Sequence, residues 1–381
     1  MSGYSSVQAH RSMAFDTTRN NAYLKAIKQI INSNSIVMDL GAGIGIHGFA
    51  AAKAGAKKVY LVEPEPIICI AKQIAEANKL ANIETRQTRI EQLTLPEKVD
   101  IIISVFTGNF LLTEDLLPSL FMARDKFLAP GGTLIPDRAQ MIVVPVSAPD
   151  YYHKHIDKWS ENQESETTPE AEEINLSLVR RYAANSIYYD SHELLDTVFL
   201  AAPGKLLDLD LMTANEATCH SKIEVSIEQD SICHGWLGWF NIRLGDDWLS
   251  TSPEAETTHW RQAFLPLDPP LELHVGDQVT FELQRPENGE WTWTMEVGKH
   301  KQRHSTFFSE PITPSILNKK SDKYAPTLDS QGKITQQLLS SIDGKTTVEN
   351  LAKQLLRDWP DNFTDKKEAL RFIKNIIEKQ D

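Results

Sequence analysis

Two stretches of the 381-residue chain carry side chains whose types and spacing could do chemistry. The first is VMDLGAGIGIHGFAAAKAGAKKVYLVEPE, residues 37–65. Its pattern predicts a strand ending at Asp39 and Leu40, then a turn through Gly41-Ala42-Gly43-Ile44-Gly45 into a helix. Glycines there allow positive φ and let a ligand approach the backbone. At the end of the next predicted strand stands Glu63, placed to accept hydrogen bonds from ribose hydroxyls. Ile46 occupies the place of a dinucleotide fingerprint's third glycine. The stretch therefore favours a nucleoside without a pyrophosphate, and S-adenosylmethionine fits that description. The competing reading is a tight turn that holds nothing. Strand, glycines, helix and acid agree against it.

The second stretch is ISVFTGNFLLTED, residues 103–115, with Glu114 and Asp115 behind an apolar, glycine-bearing lead-in. Glu114 reads either as a carboxylate in the first turn of a helix, favoured there by the helix dipole, or as a substrate ligand. Upstream, Val105 presents an apolar side chain where a partner acid would be useful. Cys219-His220 and Cys233-His234 suggest metal ligands, but their spacing fits no usual zinc pattern, and no metal is expected. Trp236, Trp239, Trp291 and Trp293 read as core side chains rather than an aromatic cage.

The elements that must position these residues alternate in type. Strands over 35–40, 58–62, 84–89 and 99–104 are separated by helices over 47–54, 67–79 and 114–127, the last closed by Pro130-Gly131-Gly132. That alternation predicts a doubly wound α/β sheet over 33–137, behind short helices in 1–32. After Pro136 come strand-like runs without helices between them, which predict an all-β barrel over 138–308. A charged, helix-prone insertion at 159–194 interrupts it. Residues 309–328 read as a linker, and 329–381 as a helical module.

Composition narrows the classes. A net charge of −13 argues against a nucleic-acid surface, which needs clustered Lys and Arg. Three cysteines make no disulfide framework in this length, and no long apolar run predicts a membrane span. A soluble cytoplasmic protein is expected.

Taken in order, VMDLGAGIGIHGFAAAKAGAKKV, LVEPE, TRIEQLTLPEKVDIIIS, GNFLLTEDLL and FLAPGGTLIPD resemble the catalytic core of protein arginine N-methyltransferases. The likeness extends to Tyr4, His10, Met13, Asp16, Arg19 and Tyr23, at the spacing of that family's cofactor-covering helix. It reaches WFNIRL and the Thr258-His259-Trp260 loop downstream, covering roughly residues 4–305. The resemblance implies a Rossmann-like domain binding S-adenosylmethionine, then a β-barrel with an inserted helical dimerisation arm. It implies methyl transfer to an arginine of a protein or peptide, with another side chain or a small molecule as alternative acceptor. A silent cofactor-binding protein is the remaining alternative.

By the same resemblance Arg19 would hold the cofactor's carboxylate, with His10 and Met13 lining the lid. Asp39, Gly41, Gly43 and Glu63 would line the nucleoside site, and Ile90 and Glu91 the adenine edge. Glu114 would bind the acceptor, and Asp16 with His259 would orient the loop or relay a proton. The chain departs from the family at Val105, where the first of two acids is expected. Thr107 stands where a methionine is usual, Asn109 replaces an aromatic, and Phe106 keeps one. The arm implies a homodimer. Residues 329–381 resemble winged-helix modules of the PqqD type, which implies a leader-bearing peptide as partner.

Overall fold

The computed structural model describes residues 6–160, 175–191, 193–194 and 197–378, and divides them after Pro311 into two compact units. Tyr4 and the middle of the insertion lie outside the described residues.

The first unit opens with helices α1 (Val7–Ala14) and α2 (Thr17–Ile30), capped by the side chains of Ser6 and Asp16. Then come β1 (Ile36–Leu40), α3 (Ile46–Lys53), β2 (Lys58–Val62), α4 (Ile68–Ala77), β3 (Ile83–Arg86) and β4 (Val99–Ser104). Helix α5 (Leu117–Phe127) and β5 (Leu128–Ile135) complete the layer. The five strands are parallel in the order β3-β2-β1-β4-β5. Helices cover such a sheet, so its central strands are apolar on both faces. Val37, Met38, Ile101, Ile102 and Ile103 are buried accordingly. The carboxyl ends of β1, β2 and β4 point to one edge, where an α/β sheet of this kind opens a crevice.

Two expectations change here. Helix α5 begins at Leu117, so Glu114 lies in the preceding turn rather than in a helix. The left-handed φ of 52° at Asp115 keeps the helix from starting earlier. Pro130-Gly131-Gly132 is part of β5 rather than a loop. That strand is at the sheet edge, where a proline's missing N–H costs no ladder bond, and its register shifts beside it.

The strand-rich half contains β6 (Arg138–Ser147), α6 (Pro149–His155), α7 (Arg180–Ala183), β7 (Tyr188–Asp190), β8 (Val198–Phe199), β9 (Gly204–Asp210) and β10 (Cys219–Ser226). It continues through β11 (Ser231–Leu244), β12 (Asp247–Ser250), β13 (Gln262–Leu273), β14 (Gln278–Arg285), β15 (Thr292–Val297) and β16 (His300–Ser305). These strands form two antiparallel sheets, β10-β14-β15-β16 and β7-β13-β11-β6-β8, with β12 on β11 and β9 on β6. Trp236, Trp239, Trp291 and Trp293 are all buried in this half. Among its described residues the insertion holds only short helical turns and α7 before β7 joins β13, so it is less helical than its composition predicts.

The second unit contains α8 (Pro314–Lys319), α9 (Ser330–Ser340), α10 (Val348–Asp358) and α11 (Lys366–Ile377). The last three enclose a core of Ile334, Leu338, Leu351, Leu355, Phe363 and Ile373. The unit has no strand among its described residues, which corrects the winged-helix expectation.

Candidate active site

The crevice at the sheet edge becomes a cavity of about 710 Å³. Its walls are the α1–α2 segment, the glycine loop between β1 and α3, the segment after β4, and the loop before β13.

At one end the backbone itself forms the wall. Gly41 and Gly43 have φ of 70° and 53°, which L side chains rarely adopt. A Cβ on Gly43 would lie 2.7 Å from Cε1 of His10, and one on Gly41 would strike the Phe106 ring. Glu63 follows β2 directly. Its Oε2 accepts from Gly43 N at 3.0 Å and its Oε1 from Glu65 N at 3.0 Å, so the carboxylate is fixed in direction. Each oxygen keeps lone-pair capacity for a further donor, such as a hydroxyl. Burial raises the Glu63 pKa against these two bonds.

Arg19 lies on α2 and is 3% exposed. Its Nη2 donates to Met13 O at 2.6 Å and Asn20 Oδ1 at 2.8 Å, and its Nε to the same Asn20 oxygen at 3.1 Å. The guanidinium carbon sits 5.9 Å from the Trp260 ring centre. Behind the cavity Asp39 Oδ2 accepts from Gly48 N at 2.7 Å, and burial pushes its carboxyl up to about 7.

At the other end Val105, Phe106, Thr107, Asn109 and Glu114 face His259 and Trp260. Long-range bonds hold this loop. Trp260 Nε1 donates to Thr107 O at 2.8 Å, and Arg261 N to Asn109 Oδ1 at 2.8 Å. Phe110 is fully buried and stacks on Trp291 with ring centres 5.4 Å apart. Arg285 donates to Asp115, whose other oxygen accepts from Asn288 N at 3.0 Å. Phe110, Leu111 and Asp115 all have positive φ, and these attachments hold them there. Glu114, between two pinned neighbours, is exposed and lines the cavity.

Asp16 caps α2 through Oδ1, which accepts from Arg19 N at 2.9 Å. Its Oδ2 accepts from both the backbone N and Nδ1 of His259 at 2.8 Å. Burial pushes the Asp16 carboxyl up, but the His259 and Arg19 bonds outweigh it and hold the group below its ordinary range. Burial, joined by the Arg19 charge, lowers the His259 pKa against the Asp16 contacts that raise it, which favours the neutral imidazole. With Nδ1 donating to Asp16, Nε2 keeps the lone pair.

Of the residues singled out in the sequence, His10, Met13, Arg19, Gly41, Gly43, Glu63, Glu114 and His259 line one cavity. Asp16 and Asp39 stand one contact behind it. Ile90 is buried and Glu91 exposed, and neither is among the lining residues. Sequence reasoning missed Ile44, Ile46, His47 and Leu116, which also line it. A glycine-loop cradle, a carboxylate fixed in direction and a buried guanidinium are parts that a nucleoside-binding methyltransferase uses.

Comparison with known proteins agrees. A family described as "Methyltransferase domain" matches residues 31–184, and "Arginine methyltransferase oligomerization subdomain" matches 137–298. The chain is 32% identical over 293 residues to protein arginine N-methyltransferase 6 of Xenopus tropicalis, covering 73% of this chain and 83% of that one. It is 33% identical over 288 residues to protein arginine N-methyltransferase 1 of Schizosaccharomyces pombe, covering 72% and 81%. The Trypanosoma brucei PRMT1 enzyme–prozyme heterotetrameric complex with AdoHcy superposes with a TM-score of 0.70 at 27% identity, over 80% of this chain and 99% of that one. The chain belongs to the protein arginine N-methyltransferase family. Both family matches end before the second unit begins.

Proposed function

We propose that this protein transfers a methyl group from S-adenosylmethionine to an arginine of a protein or peptide, holding the acceptor with a single loop carboxylate. The observation that carries this reading is one cavity lined by the glycine loop and Glu63 at one end and by Glu114 and His259 at the other. The residues fit the cofactor: the bare backbone at Gly41 and Gly43 leaves room that any Cβ would remove.

When bound, the cofactor supplies a methyl group on a positively charged sulfur. Arg19 binds its carboxylate, Glu63 the ribose hydroxyls, and His10 and Met13 cover it from α1. Asp39 supports the loop from behind, and Ile90 and Glu91 are assigned to the adenine edge. Glu114 accepts N–H bonds from the acceptor guanidinium and concentrates negative charge beside it. His259 Nε2 is able to take the proton released on transfer, while Asp16 orients the ring and stabilises its charged form.

Titration calorimetry with adenosylhomocysteine tests the cofactor site. Wild-type protein is expected to bind, and Gly41→Val to lose at least tenfold in affinity, since valine would meet Phe106 at a φ of 70°. Absence of binding by the wild type would remove the reading.

The oligomerization subdomain and the insertion before β7 support a homodimer. Light scattering on the intact protein should give twice the chain mass, and a monomer at high micromolar concentration would refute this. No helix among the described residues is long and apolar enough to cross a membrane. Free thiols at Cys69, Cys219 and Cys233 support a reducing compartment, the cytoplasm. Peptides carrying a leader segment belong among the acceptors tried.

Val105 supports a second reading, a partner that binds cofactor without turnover. A related assembly is named as a pairing of enzyme and prozyme. Tight adenosylhomocysteine binding with no transfer to any lysate component would favour it.

A further inference from the structure

His47 is the second residue of α3, in the turn that leaves the glycine loop, and it lines the cavity. Its imidazole stacks on Tyr23 with ring centres 4.5 Å apart and planes inclined by 28°. Tyr23 is itself fixed by donating to Ser104 O at 2.9 Å, so the imidazole is held as a plate between α2 and α3. The ring is 95% buried by its residue's 5% exposure, and Nε2 is sealed from water with no hydrogen-bond partner. Nδ1 is not among the sealed, unpartnered atoms, so it is the ring nitrogen that meets the cavity.

A neutral imidazole always carries one N–H. A proton on the sealed Nε2 would be an orphaned donor, at a cost on the order of 1–3 kcal/mol, so the proton belongs on Nδ1, where the donor needs a partner at the cavity. Here the protein provides none. Burial, and then the Arg19 guanidinium, push the His47 pKa down to about 3, so the ring faces a ligand as neutral imidazole. What it lacks is an acceptor, and the cationic neighbour that discourages its protonation attracts an anion.

We infer that His47 is a second anchor for the amino acid end of S-adenosylmethionine, its ring N–H donating to the carboxylate that Arg19 binds. Arg19 provides the charge and His47 a neutral, directed donor, pre-set by the Tyr23 stack. A ribose hydroxyl is the poorer match, because the carboxylate assigned to ribose, Glu63, is bonded to Gly43 beneath His10. His47 is grouped instead with Arg19 and Tyr23 of α2.

The inference rests on the cofactor site proposed above, and one set of titrations separates the two. Adenosylhomocysteine, which has the carboxylate, and methylthioadenosine, which lacks the amino acid end, are titrated into wild type, His47→Phe and His47→Gln. Phenylalanine keeps the stack and removes the donor, whereas glutamine restores an N–H. For His47→Phe the expected result is a roughly tenfold loss of adenosylhomocysteine affinity with methylthioadenosine affinity unchanged. His47→Gln should recover part of the loss, and thermal melts should show both variants folded. Equal adenosylhomocysteine affinity in wild type and His47→Phe, or equal losses for both ligands, overturns the role of His47 alone. Failure of the wild type to bind adenosylhomocysteine removes the cofactor site, and His47's role with it.

Discussion

Val105→Glu is expected to raise methyl transfer to arginine-rich peptides by about 10- to 100-fold. Val105 lines the cavity beside Phe106 and Thr107, on the loop that also carries Glu114. A guanidinium has five donors in a planar fork and stays charged at neutral pH, so one carboxylate leaves donors without acceptors. A second carboxylate would add at least one charge-assisted hydrogen bond, about 1.5–3 kcal/mol. If that bond tightens as charge leaves the attacking nitrogen, the same energy appears in the rate. The assay is transfer of a labelled methyl group, with mass spectrometry locating the modified atom. An unchanged rate, with adenosylhomocysteine binding intact, would mean that this pocket does not receive a guanidinium. Methyl on a different side chain in the wild-type reaction would assign the alternative acceptor.

The parts of this site that were legible in the sequence are those written locally. Gly41, Gly43 and Glu63 could be read because a strand, a turn and a helix occupy consecutive residues. Each of those glycines has a backbone reason that no other residue satisfies. Val105 and Glu114 could be read against a family pattern within one loop. What escaped was long-range. Trp260 to Thr107, Arg261 to Asn109 and Arg285 to Asp115 each join residues more than a hundred positions apart. No periodicity reports such pairs, so nothing in the sequence marked Asp115 as an anchor for the loop. His47 escaped for another reason: a lone histidine in a small-residue helix carries no signal until its ring is seen without a partner.

The fold shows the same division. β1, β2 and β4 are buried apolar runs, and their limits follow from pattern alone. β16, HKQRHS, shows no apolar pattern of its own, because it pairs only with β15 and buries just His304 and Ser305. The start of α5 was misplaced because left-handed backbone at Asp115 is a tertiary effect: Arg285 and Asn288 supply its stabilisation from the other half of the unit. Such attachments make the strand-rich half a mould for the loop that carries Glu114.

Glu114→Gln should abolish most of whatever transfer the wild type performs, by 100-fold or more, with adenosylhomocysteine affinity unchanged. Glu114 is the one loop carboxylate left to face the cavity, since Asp115 is committed to Arg285 and Asn288. Glutamine keeps the size but replaces one acceptor oxygen by a donor NH₂ and removes the charge. Against a guanidinium that converts an attractive contact into an opposed pair of donors. Loss of a charged hydrogen bond alone accounts for about 1.5–3 kcal/mol, and the misplaced donor adds to it. Glu114 also acts on His259, whose pKa it raises, so the variant weakens the imidazole's hold on a proton. Asp115→Asn separates holding the loop from touching the acceptor. It weakens the Arg285 clamp while leaving Glu114 in the chain, and should raise KM for peptide more than it lowers kcat. A Glu114→Gln enzyme as active as the wild type would leave the acceptor without a carboxylate at all, and the arginine reading would fall with it.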